Sequence, residues 1–399
     1  KIVGQALKEI QKKTSFYKNL GSYPKSIWVI MANKASTSTY QPGRNINDIQ
    51  KLYGLKKVIK LASNENPLGP SKKAISAANK IVKSINRYPD SKSTDLKSVI
   101  LKNISKRNIL ISNIIIGNGS NEILELVARK YLNNNSEVLF CKHSFLVYKI
   151  ISNTMKAKIV ESRPIKEKGK NFMGIDLESM KSKITNKTKV IFIANPGNPT
   201  GTVVPINEIE NFVKKISKKI IVVVDEAYYE YSSHHGFKSA VNLLAKYNNI
   251  IVTRSFSKIY ALAGVRVGYG LASKDIISEF DKIRQPFNVN YVAQKMAIAS
   301  LEDGRYLKKS LALNDAGMQF LQLELNKLGV EYLNTHTNFI TICLGSKAQK
   351  IYEILLSEGV ILRALENYGL PNYLRVTIGT EEENKMFIKK FTKSLEGLK

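Results

Sequence analysis

Cysteine is scarce in this 399-residue chain, with only Cys141 and Cys343, far apart and in apolar company. Two such residues exclude a disulfide framework and show no metal-ligand spacing, which leaves reduced structural thiols in a cytoplasmic protein and no expected metal. No uninterrupted apolar run approaches the ~20 residues that span a bilayer, and the first residues lack the apolar core of a secretion signal. Acidic residues are few: 32 Asp and Glu against 62 Lys and Arg give a formal net charge of +30. Cationic surfaces attract nucleic acid through counterion release. However, only 11 of the basic residues are Arg, and the lysines are scattered among Asn and Ile. No Arg-rich run or basic–aromatic interleaving marks a groove reader. The excess reads as a drift towards Lys, Asn and Ile that leaves general surface stickiness. No internal repeat is visible.

What is present is an ordinary globular composition, 43% hydrophobic and 24% charged. The length exceeds one compact core and suits two domains. From Tyr40 onward, apolar β-rich runs alternate with helical patterns, the signature of βαβ units and a parallel sheet. The runs NIIIG, EVLFC, KVIFIANP, IIVVVDEAY and NIIVTRS are Val- and Ile-rich and apolar on both faces, as strands covered on both sides must be. From about residue 300 the pattern changes to a long helix around LNDAGMQFLQLELNKLG, then NFITICL, a helix and YLRVTIG, an α+β second domain.

Ligands of open α/β sheets bind at the carboxyl ends of the strands, so the polar residues ending these runs carry the chemistry. FIANPGNPTG leaves Asn198 in a turn fixed by Pro199 and Gly201, free to aim its amide at a ligand or to serve as a plain turn residue. VVVDEAY places Asp225 at the end of an apolar strand, where a carboxylate is costly unless a cation meets it or it caps a helix. Tyr228 follows three residues later, as a ligand contact or as packing. RSFSKIYALAG puts Lys258 just past another strand end; partial burial lowers an amine's pKa and makes it a nucleophile able to form a Schiff base. Ser255, Ser257 and the N-terminus of a helix expected to follow would suit a phosphate, with Arg266 as a fixed cationic fork. GNGSNE, Gly117 to Glu122, before a helix expected to begin near Asn121, forms a second anion cradle. An amine for a Schiff base, a carboxylate for a ring nitrogen, donors for a phenolic oxygen and a cationic phosphate cup are together what pyridoxal 5′-phosphate requires.

The segments ASNENPLGPS, RYPD, NPGNPTG, DEAYYEY, RSFSKIYALAGVRVGY, THTNF and YLRVTIGT occur in this order. In them the chain resembles the histidinol-phosphate aminotransferases of the fold type I, class I/II superfamily, from about Tyr40 to its end. The resemblance implies an α/β fold with a mostly parallel seven-stranded sheet, helices on both faces and a smaller α+β domain. Residues 31–75 would form an N-terminal arm and part of the small domain, 76–295 the large cofactor-binding domain and 296–399 the small C-terminal domain. It further implies that Lys258 carries the cofactor and shuttles a proton, that Asp225 keeps the ring nitrogen protonated, and that Asn198 and Tyr228 bind the 3′-oxygen. Phe145 stands where many relatives have a ring-stacking Tyr, and keeps the stacking surface. Ser255 replaces a frequent threonine with its hydroxyl retained, and together with Ser257, Arg266 and the backbone at Ser120 and Asn121 would bind the cofactor phosphate. Tyr88 would reach that phosphate from a neighbouring subunit, implying a two-fold homodimer with shared active sites. Arg375 would take substrate acid groups, with Arg363 and Tyr40 as supporting substrate contacts.

Residues 1–30, which open with KIVGQALKEIQKKTSFYKNLGSYPKS and end just before Met31, resemble instead the tail of prephenate dehydratases, as a leftover or fusion segment or as an ordinary N-terminal helix. The expected activity is amino transfer between glutamate and imidazole-acetol phosphate. An aromatic 2-oxo acid acceptor remains open beside it, since both acceptors pair a flat ring with an anion. A decarboxylase of O-phospho amino acids, a basic nucleic-acid binder on an inactive enzyme fold, and a regulatory partner of the dehydratase are the further alternatives.

Overall fold

A computed structural model describes residues 44–104, 108–169 and 171–398. Tyr40, the 1–30 segment and the first part of the arm expected over 31–75 lie outside the described residues.

The five apolar runs become strands because Val, Ile and Phe fill both faces of a pleated layer. They are β2 (Ile114–Gly117), β3 (Glu137–Cys141), β5 (Thr188–Ala194), β6 (Ile221–Asp225) and β7 (Ile250–Ser255). With β4 (Lys158–Ser162) and β8 (Gly268–Leu271) they make a seven-stranded sheet in the order β2-β8-β7-β6-β5-β3-β4. Strand β8 runs antiparallel to both its neighbours, and the other pairs are parallel. Side chains alternate between two cores. Ile114, Ile116, Ile191, Ile193, Val222 and Val224 pack with Ala74, Ile209, Phe212 and Met296 from helices on one face. Ile115, Val190, Phe192, Val223 and Ile251 pack with Ile123, Tyr148 and Phe280 from helices on the other. Each buried Val, Ile or Phe contributes about 1.5–3 kcal/mol, so the sheet is a rigid platform.

The second core lies around β9 (Phe339–Cys343), β11 (Arg363–Ala364) and β12 (Tyr373–Thr377), an antiparallel sheet in the order β11-β12-β9. It is covered by Leu321 and Leu325 of the Gly304–Lys327 helix, Ile351 and Leu355 of the Ala348–Ser357 helix, and Phe387 and Phe391 of the Glu381–Glu396 helix. Strand β1 (Ile59–Lys60) pairs in parallel with β10 (Val360–Ile361), and Ile59 and Leu61 enter this core. A segment early in the chain thereby belongs to the C-terminal layer and is led from there to the strand ends of the large sheet. Among the described residues no helix is long and apolar enough to cross a membrane.

Candidate functional site

Strands β5, β6 and β7 end side by side, delivering the Asn195–Gly201 turn, Asp225 and Ser255 to one edge, while β2 runs into the Gly119–Tyr131 helix beside them. Asp225 is only 5% exposed. Its side chain accepts hydrogen bonds from the Tyr148 hydroxyl at 2.8 Å and the Thr253 hydroxyl at 2.9 Å. Where the sequence led us to expect a cation or a helix cap, the donors described are two hydroxyls and the Ala227 N–H, all neutral. Burial, opposed by these donors, pushes the carboxyl above its ordinary range. A buried carboxylate met by neutral donors suits a ligand that brings its own cationic N–H.

Lys258, half-buried just past β7, donates from Nζ to the Ser63 carbonyl at 3.2 Å and lies 5.7 Å from the Tyr228 ring. The Tyr228 hydroxyl accepts from Asn64 Nδ2 at 2.7 Å, and its ring meets Phe339 edge-on at 5.4 Å. Asn64 is itself fixed: its N–H donates to Thr377 Oγ1 at 2.9 Å, its carbonyl accepts from Asn338, and it holds a left-handed φ of 55°. One segment, Ala62 to Asn66, therefore threads the site. The Ala62 carbonyl accepts from Arg375 Nη2 at 2.8 Å, and Asn66 Nδ2 donates to the Ile259 carbonyl and Ser310.

Arg375 stands on β12 opposite Arg363 of β11, and both are buried. Its Nη1 donates to Asn198 Oδ1 and its guanidinium lies 5.1 Å from the Phe339 ring. Its Nε is buried with no hydrogen-bond partner among the described residues. An unsatisfied buried donor on a cation costs free energy that an incoming carboxylate or phosphate would recover.

The expected anion cup forms from three elements. The Gly119–Tyr131 helix starts at Gly119, two residues earlier than expected, and places buried Ser120 and exposed Asn121 in its first turn. Gly119 has φ +72°, and a Cβ there would sit 2.7 Å from the Arg266 guanidinium, so only glycine lets the arginine lie over the helix start. Ser255 Oγ accepts from the Ser257 N–H at 3.1 Å, and Arg266 Nη1 donates to Ser257 Oγ at 3.4 Å and to the Ala263 carbonyl at 2.9 Å. The helix expected after Lys258 is instead a 3-10 turn, Ala263–Val265, bounded by left-handed Ala261 and Arg266. Left-handed residues stop an α-helix, so the groups gathered here that could meet an anion are hydroxyls, a guanidinium and the other helix's amides.

Phe145, half-buried at the start of the Leu146–Thr154 helix, meets Tyr148 edge-on at 5.8 Å. Tyr88 is not brought into its own chain's site: it is 81% exposed and stacks on Phe287, itself 41% exposed, at 4.6 Å. Sequence reasoning missed Asn64, Tyr148 and Thr253. Asn64 stood within a quoted motif, and Tyr148 follows Phe145 by three residues, one helical turn, which was the available signal.

Residues 56–391 match the family described as aminotransferase class I and II. Histidinol-phosphate aminotransferase 1 of Idiomarina loihiensis is 42% identical over 354 residues, 89% of this chain and 94% of its own length. The crystal structure of the histidinol-phosphate aminotransferase from Clostridium acetobutylicum is 27% identical, with a TM-score of 0.78 over 85% of this chain and 100% of that one. That of the Sinorhizobium meliloti histidinol-phosphate aminotransferase in complex with pyridoxal-5′-phosphate has a TM-score of 0.80 at 22% identity, over 96% and 100%, a likeness of fold.

Proposed function

The chain belongs to the class I and II aminotransferases, and from that membership we propose that it is a pyridoxal 5′-phosphate-dependent histidinol-phosphate aminotransferase, moving an amino group between glutamate and imidazole-acetol phosphate. The observation that carries the assignment is that Asp225, Lys258 and the Ser255–Ser257–Arg266 cup lie at or just past the ends of neighbouring strands of the large sheet, with Arg375 of the second sheet bonded to Asn198 at the same edge. The donor set fits the cofactor: a buried carboxylate for its ring nitrogen, a tyrosine and an amide for its oxygen, a cation and hydroxyls for its phosphate. Bound to Lys258, the cofactor supplies an electron sink for negative charge at the substrate's α-carbon.

In this reading Asp225 would hold the proton on the ring nitrogen, and Tyr228 and Asn198 would donate to the phenolic oxygen. Asn64, bonded to the Tyr228 hydroxyl, aims that donor. The Lys258 amine would serve as the general base, and then acid, for the proton at the substrate's α-carbon. Phe145 would cover one face of the ring, while Ser120 and Asn121 would add their amides to the phosphate cup. Arg375 binds the glutamate carboxylate and, in the second half-reaction, the anionic end of the acceptor, with Arg363 and Tyr40 in support. The exposure of Tyr88 and Phe287 supports a homodimer in which Tyr88 reaches the partner's cofactor phosphate. The domain division at 31–75, 76–295 and 296–399 goes with this reading, and so does a cytoplasmic setting, where free Cys141 and Cys343 stay reduced.

The test is turnover of the purified protein on histidinol phosphate with 2-oxoglutarate and on phenylalanine with 2-oxoglutarate, compared as kcat/KM. A strong preference for the phosphate substrate is expected. Equal or higher phenylalanine activity would move the assignment to aromatic amino-acid transfer, in keeping with the dehydratase-like character of residues 1–30.

A further inference from the structure

Tyr148 is wholly buried on the Leu146–Thr154 helix, and three aromatic rings hold its ring in place. Phe192 stacks on it at 4.6 Å with an interplanar angle of 5°, Phe145 meets it edge-on at 5.8 Å, and Phe140 lies at 6.0 Å. A ring so fixed can point its hydroxyl in one direction, and it points at Asp225 Oδ2. The other groups facing Asp225 are few. Thr253 of β7 donates to Oδ1, and the Ala227 N–H donates to the carboxylate. Glu226 is the neighbouring negative charge and is paired with Arg254 at 2.9 Å, and Tyr228 follows on the same stretch of chain. Burial and the Asp225 charge hold the Tyr148 phenol well above its ordinary range, so it remains a donor across the physiological range.

We propose that Tyr148 is a positioning residue that sets the proton affinity of Asp225, and through it how firmly the ring nitrogen of the bound cofactor stays protonated. The inference rests on the reading of Asp225 as the partner of that nitrogen. A carboxylate next to a pyridine nitrogen competes with it for one proton. Burial without a compensating cation makes Asp225 a stronger base, which would draw the proton away from the ring. Each hydroxyl that donates to the carboxylate favours its charged form and leaves the proton on the nitrogen. A hydrogen bond to a charged group shifts such an equilibrium about ten- to hundredfold.

Tyr148→Phe removes the hydroxyl and keeps the stack on Phe192. Two readouts on the full-length chain separate tuning from packing. The first is the thermal midpoint of cofactor-free protein from about pH 5 to about pH 8. The pKa of folded Asp225 is raised, so its contribution to stability is greatest below the unfolded pKa and is lost as pH rises through the folded one. Removing a donor raises the folded pKa further, so the gap between wild type and variant should widen with rising pH. The second readout is steady-state kinetics of the holoenzyme, where kcat should fall about tenfold or more while the donor KM changes less than about threefold. Thr253→Val should move both in the same direction, and carries the test if Tyr148→Phe does not fold. A gap independent of pH together with unchanged kcat would overturn the proposal. Failure of the wild-type chain to bind pyridoxal phosphate would instead overturn the reading of the site, and the cofactor-free titration would still report on the Tyr148–Asp225 pair.

Discussion

Gly268→Ala is the perturbation whose outcome the geometry fixes most tightly. Gly268 opens β8, where it pairs with Gly117 of β2 and Ser255 of β7. A Cβ built on it would lie 2.5 Å from the Ser120 nitrogen, 2.6 Å from the Gly119 carbonyl carbon and 2.8 Å from the Arg254 oxygen. All three are backbone atoms, so no side-chain rotation relieves the clash. Reaching ordinary contact at 3.4 Å requires the helix start and β7 to move away by about 0.6–0.9 Å. Overpacking of this kind costs about 1–3 kcal/mol. At about 2–4 °C per kcal/mol for domains of this size, the thermal midpoint should drop by about 2–12 °C. The displaced groups are the Ser120 amide and the strand carrying Ser255, two sides of the proposed phosphate cup. Cofactor affinity should therefore fall tenfold or more, which is about 1.4 kcal/mol. Calorimetry with and without pyridoxal phosphate, together with an equilibrium binding titration, measures both. A variant that melts and binds like the wild type would refute the argument that the cup is built by direct backbone contact at Gly268.

Lys258→Ala should abolish the visible absorbance of the lysine-bound cofactor and nearly all turnover, and a normal spectrum in that variant would contradict the assignment. Arg375→Ala should lower kcat/KM for glutamate by about a hundredfold or more and weaken cofactor binding far less, because it touches the cofactor site through Asn198 alone and its other described partners are Ala62 and Phe339; substrate titration against a cofactor-retention assay checks this. Glu230 is partly buried near Arg254, and the loss of water around it raises its carboxyl pKa to about 7. A raised folded pKa gives stability that is full at low pH and lost as pH climbs from the unfolded value through about 7. Glu230→Gln should accordingly raise the thermal midpoint above neutrality relative to wild type and leave it little changed near pH 5, and a constant difference across pH would count against the shift. Cys141, whose thiol burial pushes up to about 11, should react with thiol reagents at neutral pH only after unfolding, as a timed labelling experiment would show.

The large sheet was legible because its strands carry branched apolar residues on both faces, so that even short runs such as EVLFC admit only a buried strand. Strand β8 left no such trace. Its GYGL sequence is half glycine, a choice made by the close approach of the helix start rather than by strand propensity. The strand-end residues Asn198, Asp225 and Lys258 could be read because a polar group after an apolar run needs a reason to be there. Asn64 and Tyr148 could not be found that way. Asn64 meets a tyrosine 164 positions away, and Tyr148 meets a carboxylate 77 positions away, so each role exists only once the layers have packed. The helix expected after Lys258 failed for a local reason: Ala261 and Arg266 take left-handed backbone angles that residue type alone did not announce.

The segment from Ala62 to Asn66 has a consequence for substrate size. Arg375 is bonded to the carbonyl of Ala62 and Lys258 to the carbonyl of Ser63. These are consecutive carbonyls, so the guanidinium proposed to bind the substrate's acid end and the amine proposed to work on its carbon are both tied to one peptide unit, whose Cα–Cα length is about 3.8 Å. The backbone here is a ruler. Side-chain exchanges at Ala62 or Ser63 leave its graduation intact, whereas one inserted or deleted residue would change it by a whole step. In the proposed reading, tolerance for a longer or shorter amino donor would then depend on side chains outside this segment.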